Sequence, residues 1–214
     1  MKPAYSIVFT VLAPAMLLSG ALMALALPKG QPELWLNGHY HRVLDYFFYY
    51  LTETGTGYFF AIISALFLFR RFSLALTLGI QGLLATLTSN VLKHVVFTDS
   101  PRPPAFFKDH SLLHILEDYP LFYANSFPSG HSMTIALLCT TLSTFLPKKY
   151  APALLIWTLL VLASRMYLLR HFMLDVCVGG FIGWGISLLT TTLLLRYFDS
   201  LLGEASLINY PNRR

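Results

Sequence analysis

Three ionisable residues, Arg165, His171 and Asp175, lie close together where two strongly apolar stretches of the chain meet. Ionisable side chains at membrane depth are costly to keep there and are therefore functional candidates. If both are helical, His171 and Asp175 share one face because they are four residues apart, and the carboxylate can accept a hydrogen bond from one imidazole nitrogen. The other nitrogen is then free to act as a nucleophile. A structural His–Asp pair that only satisfies two buried polar groups fits the same spacing, so both interpretations stay open.

A second candidate group is the string Pro128-Ser129-Gly130-His131, which opens another apolar stretch. Proline suits the first turn of a helix, whose backbone N–H groups lack partners and can bind an anion. Gly130 lets a ligand approach the backbone closely, and His131 adds a titratable donor. The alternative is a plain helix start with Ser129 as its cap.

A third candidate is Arg102, which lies in the proline-rich string Pro101–Pro104 and is separated from Lys93 by eight residues. Guanidinium groups suit bidentate contact with phosphate oxygens, and the prolines stiffen the loop that carries this one. A surface arginine in a proline turn is the alternative.

The composition indicates that membrane helices must position these residues. Of the 214 residues, 56% are hydrophobic and 12% are charged, against roughly 25% charged residues in an ordinary soluble domain. The net charge of +5 does not favour nucleic acid as a partner, because basic residues cluster between apolar stretches and at the chain ends (Lys2, Arg213 and Arg214), as topogenic charges do. Cys139 and Cys177 fall inside apolar stretches, which predicts buried thiols.

The uncharged stretches predict an all-α protein, a single domain over residues 1–214 built as a bundle of six transmembrane helices. Roughly 20 apolar residues make one span. The first stretch is longer than the core of a typical signal peptide, about 7–15 residues, and is interpreted as a retained span. The predicted spans cover residues 5–27, 54–69, 72–96, 129–146, 151–169 and 172–197.

Charge placement orients the predicted bundle. With both termini in the cytoplasm, eight basic residues lie inside and seven outside, and three of the outer seven belong to the candidate motifs. The remaining bias of eight to four agrees with the positive-inside rule. This orientation places all seven histidines and eight of the ten acids, Glu117 and Asp118 included, on the outer side, so we expect the site at the outer helix ends.

Two outer connections are long. Residues 28–53 are rich in aromatic side chains, which suits an interfacial belt, and a dedicated lipid-access surface is the alternative. Residues 97–127 are too polar to span a membrane and too long for a simple turn, and loops of that length are often functional lids.

Together these residues resemble the type 2 phosphatidic acid phosphatase family of integral-membrane lipid phosphatases. The family's second motif, PSGH, is present as Pro128–His131, and its third, S-R-x5-H-x3-D, is matched by Ser164, Arg165, His171 and Asp175. The resemblance covers the stretch from about Lys93 to Asp175 and the six-span layout. The two complete motifs are jointly quite specific.

The first motif of the family, K-x6-R-P, is matched only loosely. In the family spacing the lysine would fall at position 95, which is Val95. Two residues turn a helical side chain by roughly 200°, so Lys93 would face away from the site if the loop geometry were unchanged. Alternatively, the extra residues are absorbed in Thr98–Pro101, after the helix ends. We expect the second arrangement, with a water- or loop-mediated phosphate contact as the fallback.

The resemblance implies a mechanism without metal or other cofactor. His171 would attack phosphorus to form a phosphohistidine, Asp175 would orient it, and His131 would protonate the leaving oxygen and then activate water. The implied phosphate-binding groups, which stabilise the transition state electrostatically, are Lys93, Arg102, Ser129, Gly130 and Arg165.

A site at the outer helix ends would meet lipid headgroups, which makes a membrane lipid phosphate the expected substrate and the bilayer the expected surroundings. Phosphatidic acid, phosphatidylglycerol phosphate, undecaprenyl diphosphate and lipid A phosphate all satisfy this geometry. In a bacterium the membrane would be the inner membrane and the site would face the periplasm. Phosphotransfer to another lipid and non-catalytic lipid binding are the alternative functions. The oligomeric state is not predicted.

Overall fold

The computed structural model of the protein describes residues 5–116, 119–203 and 205–209. Five residues that were used in the topology prediction lie outside the described residues: Lys2, Glu117, Asp118, Arg213 and Arg214. All regular elements in the described ranges are helical, which confirms the predicted all-α class. The α-helices are α1 (Ala13–Ala26), α2 (Gln31–Gly38), α3 (Arg42–Glu53), α4 (Gly57–Leu66), α5 (Phe72–Val91), α6 (Pro103–Phe106), α7 (Gly130–Leu142), α8 (Ala151–Tyr167) and α9 (Met173–Leu202). Shorter π- or 3₁₀-helical turns cover Val8–Leu12, Phe67–Phe69, Leu92–Val96, His110–Leu112 and Lys148–Tyr150.

Four helical segments of the described chain are long and apolar enough to cross a membrane, so the protein is a membrane protein. They match the predicted first, third, fifth and sixth spans, although the last runs to Leu202 and not to residue 197. The number rises to five if α3 and α4, which meet at a bend of 58°, form one span. The four segments are Val8–Ala26, Phe72–Val96, Lys148–Tyr167 and Met173–Leu202.

The region around the predicted second span differs from the expectation. Residues 28–53 were expected to be a connection, yet they contain α2 and α3. The cap of α3 is His41, whose side chain accepts a hydrogen bond from the Val43 N–H. The cap of α4 is Thr56, so this helix begins at Gly57 and not at residue 54. Several aromatic side chains of this region are exposed, as an interfacial belt requires; they are Trp35, Tyr40, Tyr46, Phe47 and Tyr50.

The predicted fourth span, 129–146, is shorter in the structure. Helix α7 has 13 residues, about 20 Å at a rise of 1.5 Å per residue. It ends at Leu142 because the next hydroxyls, Ser143 and Thr144, turn back to the carbonyls of Thr140 and Thr141 and compete with the helix. Ten of its 13 residues are buried, which makes α7 the centre of the bundle.

Helices α7 and α9 touch through their backbones. A Cβ atom at Gly179 would lie 2.3 Å from the Ser129 carbonyl oxygen, and one at Gly183 would lie 2.0 Å from that of Met133. Small residues allow such close approach between membrane helices. The Ser129 N–H also donates to the Asp175 carbonyl at 3.0 Å. These contacts join the start of α7 to the start of α9, where two of the candidate motifs lie.

Both cysteines are buried free thiols in this packing, as the sequence predicts. Cys139 lies on α7 and Cys177 on α9.

Candidate active site

His171 lies in the tight turn between α8 and α9, where it is 2% exposed. Leu169 takes a left-handed conformation (φ 53°), and the N–H groups of Arg170 and His171 both donate to the Arg165 carbonyl at 2.8 and 3.1 Å. The turn therefore fixes the imidazole beside the end of α8. The expectation that His171 and Asp175 share a helical face is wrong, because α9 begins only at Met173.

Asp175 nevertheless lies close to His171, for a different reason. Its side chain caps α9: Oδ2 accepts the Phe172 N–H at 2.9 Å. This bends the carboxylate back toward the turn, where Oδ2 lies 3.7 Å from His171 Nδ1. Ser126 fills the gap, since its Oγ donates to Asp175 Oδ2 at 2.5 Å and lies 3.4 Å from His171 Nδ1. The carboxylate and hydroxyl together face one nitrogen of the imidazole.

The other imidazole nitrogen faces Arg102. Nη1 of Arg102 lies 3.4 Å from His171 Nε2 and donates to the Arg170 carbonyl at 3.0 Å. Its Nε and Nη2 donate to the carbonyls of Ala124 and Asn125 at 2.8 and 3.3 Å. Backbone oxygens of the long connection therefore hold this buried guanidinium against the nucleophile candidate, and the surface-arginine alternative is wrong.

Arg165 is buried near the end of α8, with 4% exposure. Its Nη1 donates to Thr52 Oγ1 at 2.7 Å and to the Tyr119 hydroxyl at 3.1 Å, while Nε has no hydrogen-bond partner among the described residues. Thr52 comes from α3, so the helix that the sequence interpretation treated as a connection helps to place a candidate phosphate-binding residue.

The PSGH string starts α7 with Ser129 as the N-cap. The Ser129 hydroxyl accepts hydrogen bonds from the Ser132 N–H at 3.4 Å and from the Ser132 hydroxyl at 2.9 Å. For the Ser129 side chain, the structure therefore agrees with the alternative interpretation, a serine that caps the start of a helix. Gly130 is the first residue of α7. His131 follows it in the first turn and is half-buried, and a Cβ atom added at Gly55 would lie close to the His131 Cβ atom.

Lys93 lies in the π-helical turn Leu92–Val96 that ends the third predicted span. A π-turn holds more residues per turn than an α-helix, so the helix end itself takes up part of the irregular spacing to Arg102. Val95, which occupies the family's lysine position, is 72% exposed, whereas Lys93 is half-buried. The charge of Lys93 interacts with those of Arg102, Arg165 and Asp175. This arrangement favours Lys93 over position 95 as the basic residue of the cluster.

The electrostatics of the cluster favour a neutral His171. Burial lowers its pKa well below the usual 6.5, and the positive charges of Arg102, Arg165 and Lys93 lower it further. Burial, followed by the charges of Arg165 and Arg170, also lowers the pKa of Arg102 to about 10, so that this residue stays protonated at pH 7. Because the charge of His131 also acts on His171, the two imidazoles belong to one electrostatic cluster.

A cavity of about 500 Å³ adjoins the cluster on the side of Ser126 and Asp175. Most of its lining is apolar and comes from the end of α1, the segment after α5 and the start of α9. Glu33 of α2 also lines it; this buried carboxylate accepts the Met173 N–H at 2.5 Å, and burial raises its pKa. Glu33 therefore fixes the first turn of α9 from the outside of the cluster.

Four residues of the cluster were missed by the sequence interpretation: Ser126, Tyr119, Thr52 and Arg170. Ser126 has a sequence signal, since it immediately precedes the Phe127-Pro128 step into the PSGH string. Arg170 has one as well, since it directly precedes His171 within the third motif. Thr52 and Tyr119 have no comparable signal, because their positions depend on how α3 and the long connection fold over α8. Among the described residues, no group of three or more His, Cys, Asp or Glu side chains is placed to hold a metal ion.

Residues 71–199 match the family model described as the PAP2 superfamily. The chain belongs to the PAP2 superfamily. The matched PAP2 region contains all eight site residues that the sequence predicts, and the match confirms the resemblance drawn from the motifs.

Two relatives give this PAP2 chain a wider context. It is 31% identical over 143 residues to an undecaprenyl-diphosphatase of Sulfolobus acidocaldarius, and the alignment covers 66% of each protein, just under two thirds of that relative's length. Its fold is similar to the crystal structure of Aquifex aeolicus LpxE, with a TM-score of 0.67 and 28% identity over 75% of this chain and 92% of the other.

Proposed function

We propose that this PAP2 protein is a metal-independent phosphatase that hydrolyses a phosphomonoester or diphosphate of a membrane lipid. The observation that carries the proposal is the environment of His171. One imidazole nitrogen faces Asp175 and Ser126, and the other lies 3.4 Å from the guanidinium of Arg102. An anionic phosphoryl group drawn to Arg102 is thereby brought to a nitrogen that can attack it.

In the first half of the reaction, Nε2 of His171 forms a bond to phosphorus while the bond from phosphorus to the lipid oxygen breaks. His131 donates a proton to that oxygen, and the lipid leaves. Asp175 and Ser126 keep the Nδ1 proton in place and stabilise the positive charge that the imidazole acquires. The product of this half is a phosphohistidine.

In the second half, His131 removes a proton from water, and the hydroxide attacks phosphorus as the bond to Nε2 breaks. Inorganic phosphate leaves and His171 is neutral again. Lys93, Arg102 and Arg165 stabilise the non-bridging oxygens in both steps. Gly130 contributes its backbone N–H at the start of α7. Ser129 contributes its hydroxyl hydrogen, because its own backbone N–H already donates to the Asp175 carbonyl.

For the membrane arrangement, we propose six crossings in a single domain, the four long segments together with α4 and α7. Helix α7 is too short to match a hydrocarbon core of about 30 Å, but it is enclosed by the longer helices and needs no contact with lipid along its full length. The cluster then lies at the outer helix ends, on the periplasmic side if the membrane is a bacterial inner membrane. The apolar cavity beside Asp175 offers space for the lipid portion of the substrate.

The test is a phosphate-release assay on purified protein in detergent with phosphatidic acid, phosphatidylglycerol phosphate and undecaprenyl diphosphate, each with and without EDTA. We expect phosphate release that EDTA leaves unchanged and vanadate inhibits, because vanadate mimics pentacoordinate phosphorus. His171→Ala should lower the rate by about 10⁴-fold or more, while His94→Ala, a change at an exposed imidazole, should keep wild-type activity. A phosphorylated lipid acceptor in place of free phosphate would identify a transferase, and unchanged activity of His171→Ala would refute the proposed nucleophile.

A further inference from the structure

Arg170 is a buried cation to which the mechanism above gives no role. Its side chain is 2% exposed, and its Nε and Nη1 atoms have no hydrogen-bond partner among the described residues. A buried guanidinium is normally paired, because leaving its donors without acceptors carries a large desolvation cost. The unused donors of Arg170 therefore indicate that an anion belongs beside it.

Two aromatic rings tie Arg170 to the site. Its guanidinium carbon lies 3.9 Å from the centre of the Tyr119 ring and 4.8 Å from that of Phe122. The Tyr119 hydroxyl also accepts the hydrogen bond from Arg165, and the Phe122 ring lies 5.3 Å from the guanidinium carbon of Arg102. The rings therefore orient Arg170 in the same cluster as the two candidate phosphate-binding arginines.

Arg170 lies at the edge of the cluster. The charges of Arg165, Lys93 and Arg102 act on His131 more strongly than the charge of Arg170 does, and the same three cations act on His171. A group bound by Arg170 would then lie beside the phosphoryl group that these three cations hold.

The charge balance points the same way. Within the described residues, no Asp or Glu oxygen lies within 4.0 Å of the charged nitrogens of the four cations Lys93, Arg102, Arg165 and Arg170. A phosphomonoester brings a charge of about −1.5 to −2 at neutral pH, and a second phosphate adds further negative charge. Lys93, Arg102 and Arg165 can together balance the charge of the phosphoryl group that is transferred. Arg170 is then available to bind the second phosphate.

We propose that Arg170 binds the second phosphate of a lipid diphosphate, so that the site prefers diphosphates to monophosphates. His171 would attack the terminal phosphorus, and the bond from that phosphorus to the bridging oxygen would break. The departing lipid monophosphate takes the electron pair and the proton of His131, while Arg170 binds the negatively charged non-bridging oxygens of that phosphate. This proposal rests on the proposed phosphatase function and assigns its substrate class.

The test compares farnesyl diphosphate with farnesyl monophosphate, which share one lipid chain, in detergent and EDTA. In Arg170→Gln we expect kcat/KM for the diphosphate to fall by about 30-fold, the loss of a charge-assisted contact, and kcat/KM for the monophosphate to change by less than about 3-fold. Arg42→Gln is the matched control, because that guanidinium is exposed beside the Tyr46 ring, and it should keep both values. An equal loss on both substrates, or no loss on either, overturns the proposal.

A binding measurement covers the case in which Arg170→Gln does not fold or the wild type hydrolyses neither substrate. Methylenediphosphonate should stabilise the wild type against heat at concentrations about 10-fold lower than methylphosphonate requires, and Arg170→Lys should reduce this preference to less than about 3-fold, since lysine cannot reproduce the planar stacked guanidinium. Equal stabilisation of the wild type by the two compounds overturns the role of Arg170. Absence of phosphate release from every lipid, with the diphosphonate preference intact, contradicts only the phosphatase function.

Discussion

The hydroxyl of Ser126 donates a 2.5 Å hydrogen bond to Oδ2 of Asp175, and this pair, not the carboxylate alone, faces Nδ1 of His171. The carboxylate itself is 3.7 Å from Nδ1, beyond ordinary hydrogen-bond distance. Ser126 therefore holds both the carboxylate and the imidazole in place.

Ser126→Ala is expected to lower kcat by about 10-fold with little change in KM. Loss of a hydrogen bond to a charged group costs about 1.5 kcal/mol, equivalent to about 10-fold in rate. Ser126→Thr keeps the hydroxyl and should recover most of the activity. Ser111→Ala removes an exposed hydroxyl far along the same connection and serves as the control. Wild-type kcat in Ser126→Ala would show that Asp175 orients His171 without help.

The pH dependence of kcat/KM should have an acidic limb below pH 6.5. Burial and three nearby cations lower the pKa of His171 below that value, and the neutral imidazole is the nucleophilic form. On the acidic side, activity is therefore lost as the pH falls through this lowered pKa. Arg102→Gln removes the strongest of the neighbouring charges and should move the limb to higher pH, besides lowering the rate. An acidic limb above pH 6.5 in the wild type would contradict the neutral, buried nucleophile.

Lys93→Ala should lower kcat/KM by about 30-fold, because a charge-assisted contact to phosphate contributes about 2 kcal/mol. Lys93→Arg keeps the charge and should restore part of this loss. Val95→Ala changes the neighbouring exposed position and should leave the kinetics unchanged. If Lys93→Ala has wild-type kinetics, the residue is a topological charge, and the first family motif has lost its lysine function in this chain.

Gly183→Ala should destabilise the protein by about 1–3 kcal/mol, the usual cost of forcing extra atoms into a packed interface. The added Cβ would lie 2.0 Å from the Met133 carbonyl oxygen, so α7 and α9 would have to separate. Gly185→Ala, two residues further along α9, meets nothing within 4 Å and should leave the thermal unfolding temperature unchanged or slightly higher, because alanine favours helix over glycine. Equal unfolding temperatures for the two variants would contradict the backbone contact.

The sequence identified residues that the fold brings together, but not the backbone geometry that brings them together. Arg165, His171 and Asp175 do come together, but the helical-face argument for the last two is wrong. Asp175 reaches His171 because it caps α9 and the turn at Leu169 brings the imidazole back. Caps and left-handed turns depend on individual backbone angles, which a four-residue spacing does not specify.

The helices were predicted to different degrees for a related reason. The third predicted span, 72–96, coincides with the helical segment Phe72–Val96, because a long apolar run has few alternative structures. Helix α3 was missed, since its mixture of aromatic and polar residues resembles an interfacial loop in composition. The partners of Arg165, Thr52 and Tyr119, come from α3 and from the long connection, so they could not be assigned before those segments were placed in space.

The glycine-mediated contact between α7 and α9 has a consequence for how the protein responds to its membrane. Changes in bilayer thickness act on transmembrane helices mainly by altering their tilt. His131, the candidate acid, and Asp175, the candidate orienting group, lie on two helices whose backbones cannot slide past each other without steric collision. Lipid composition should therefore govern how easily a substrate reaches the pocket, while the spacing of the reacting groups stays constant from one membrane to another.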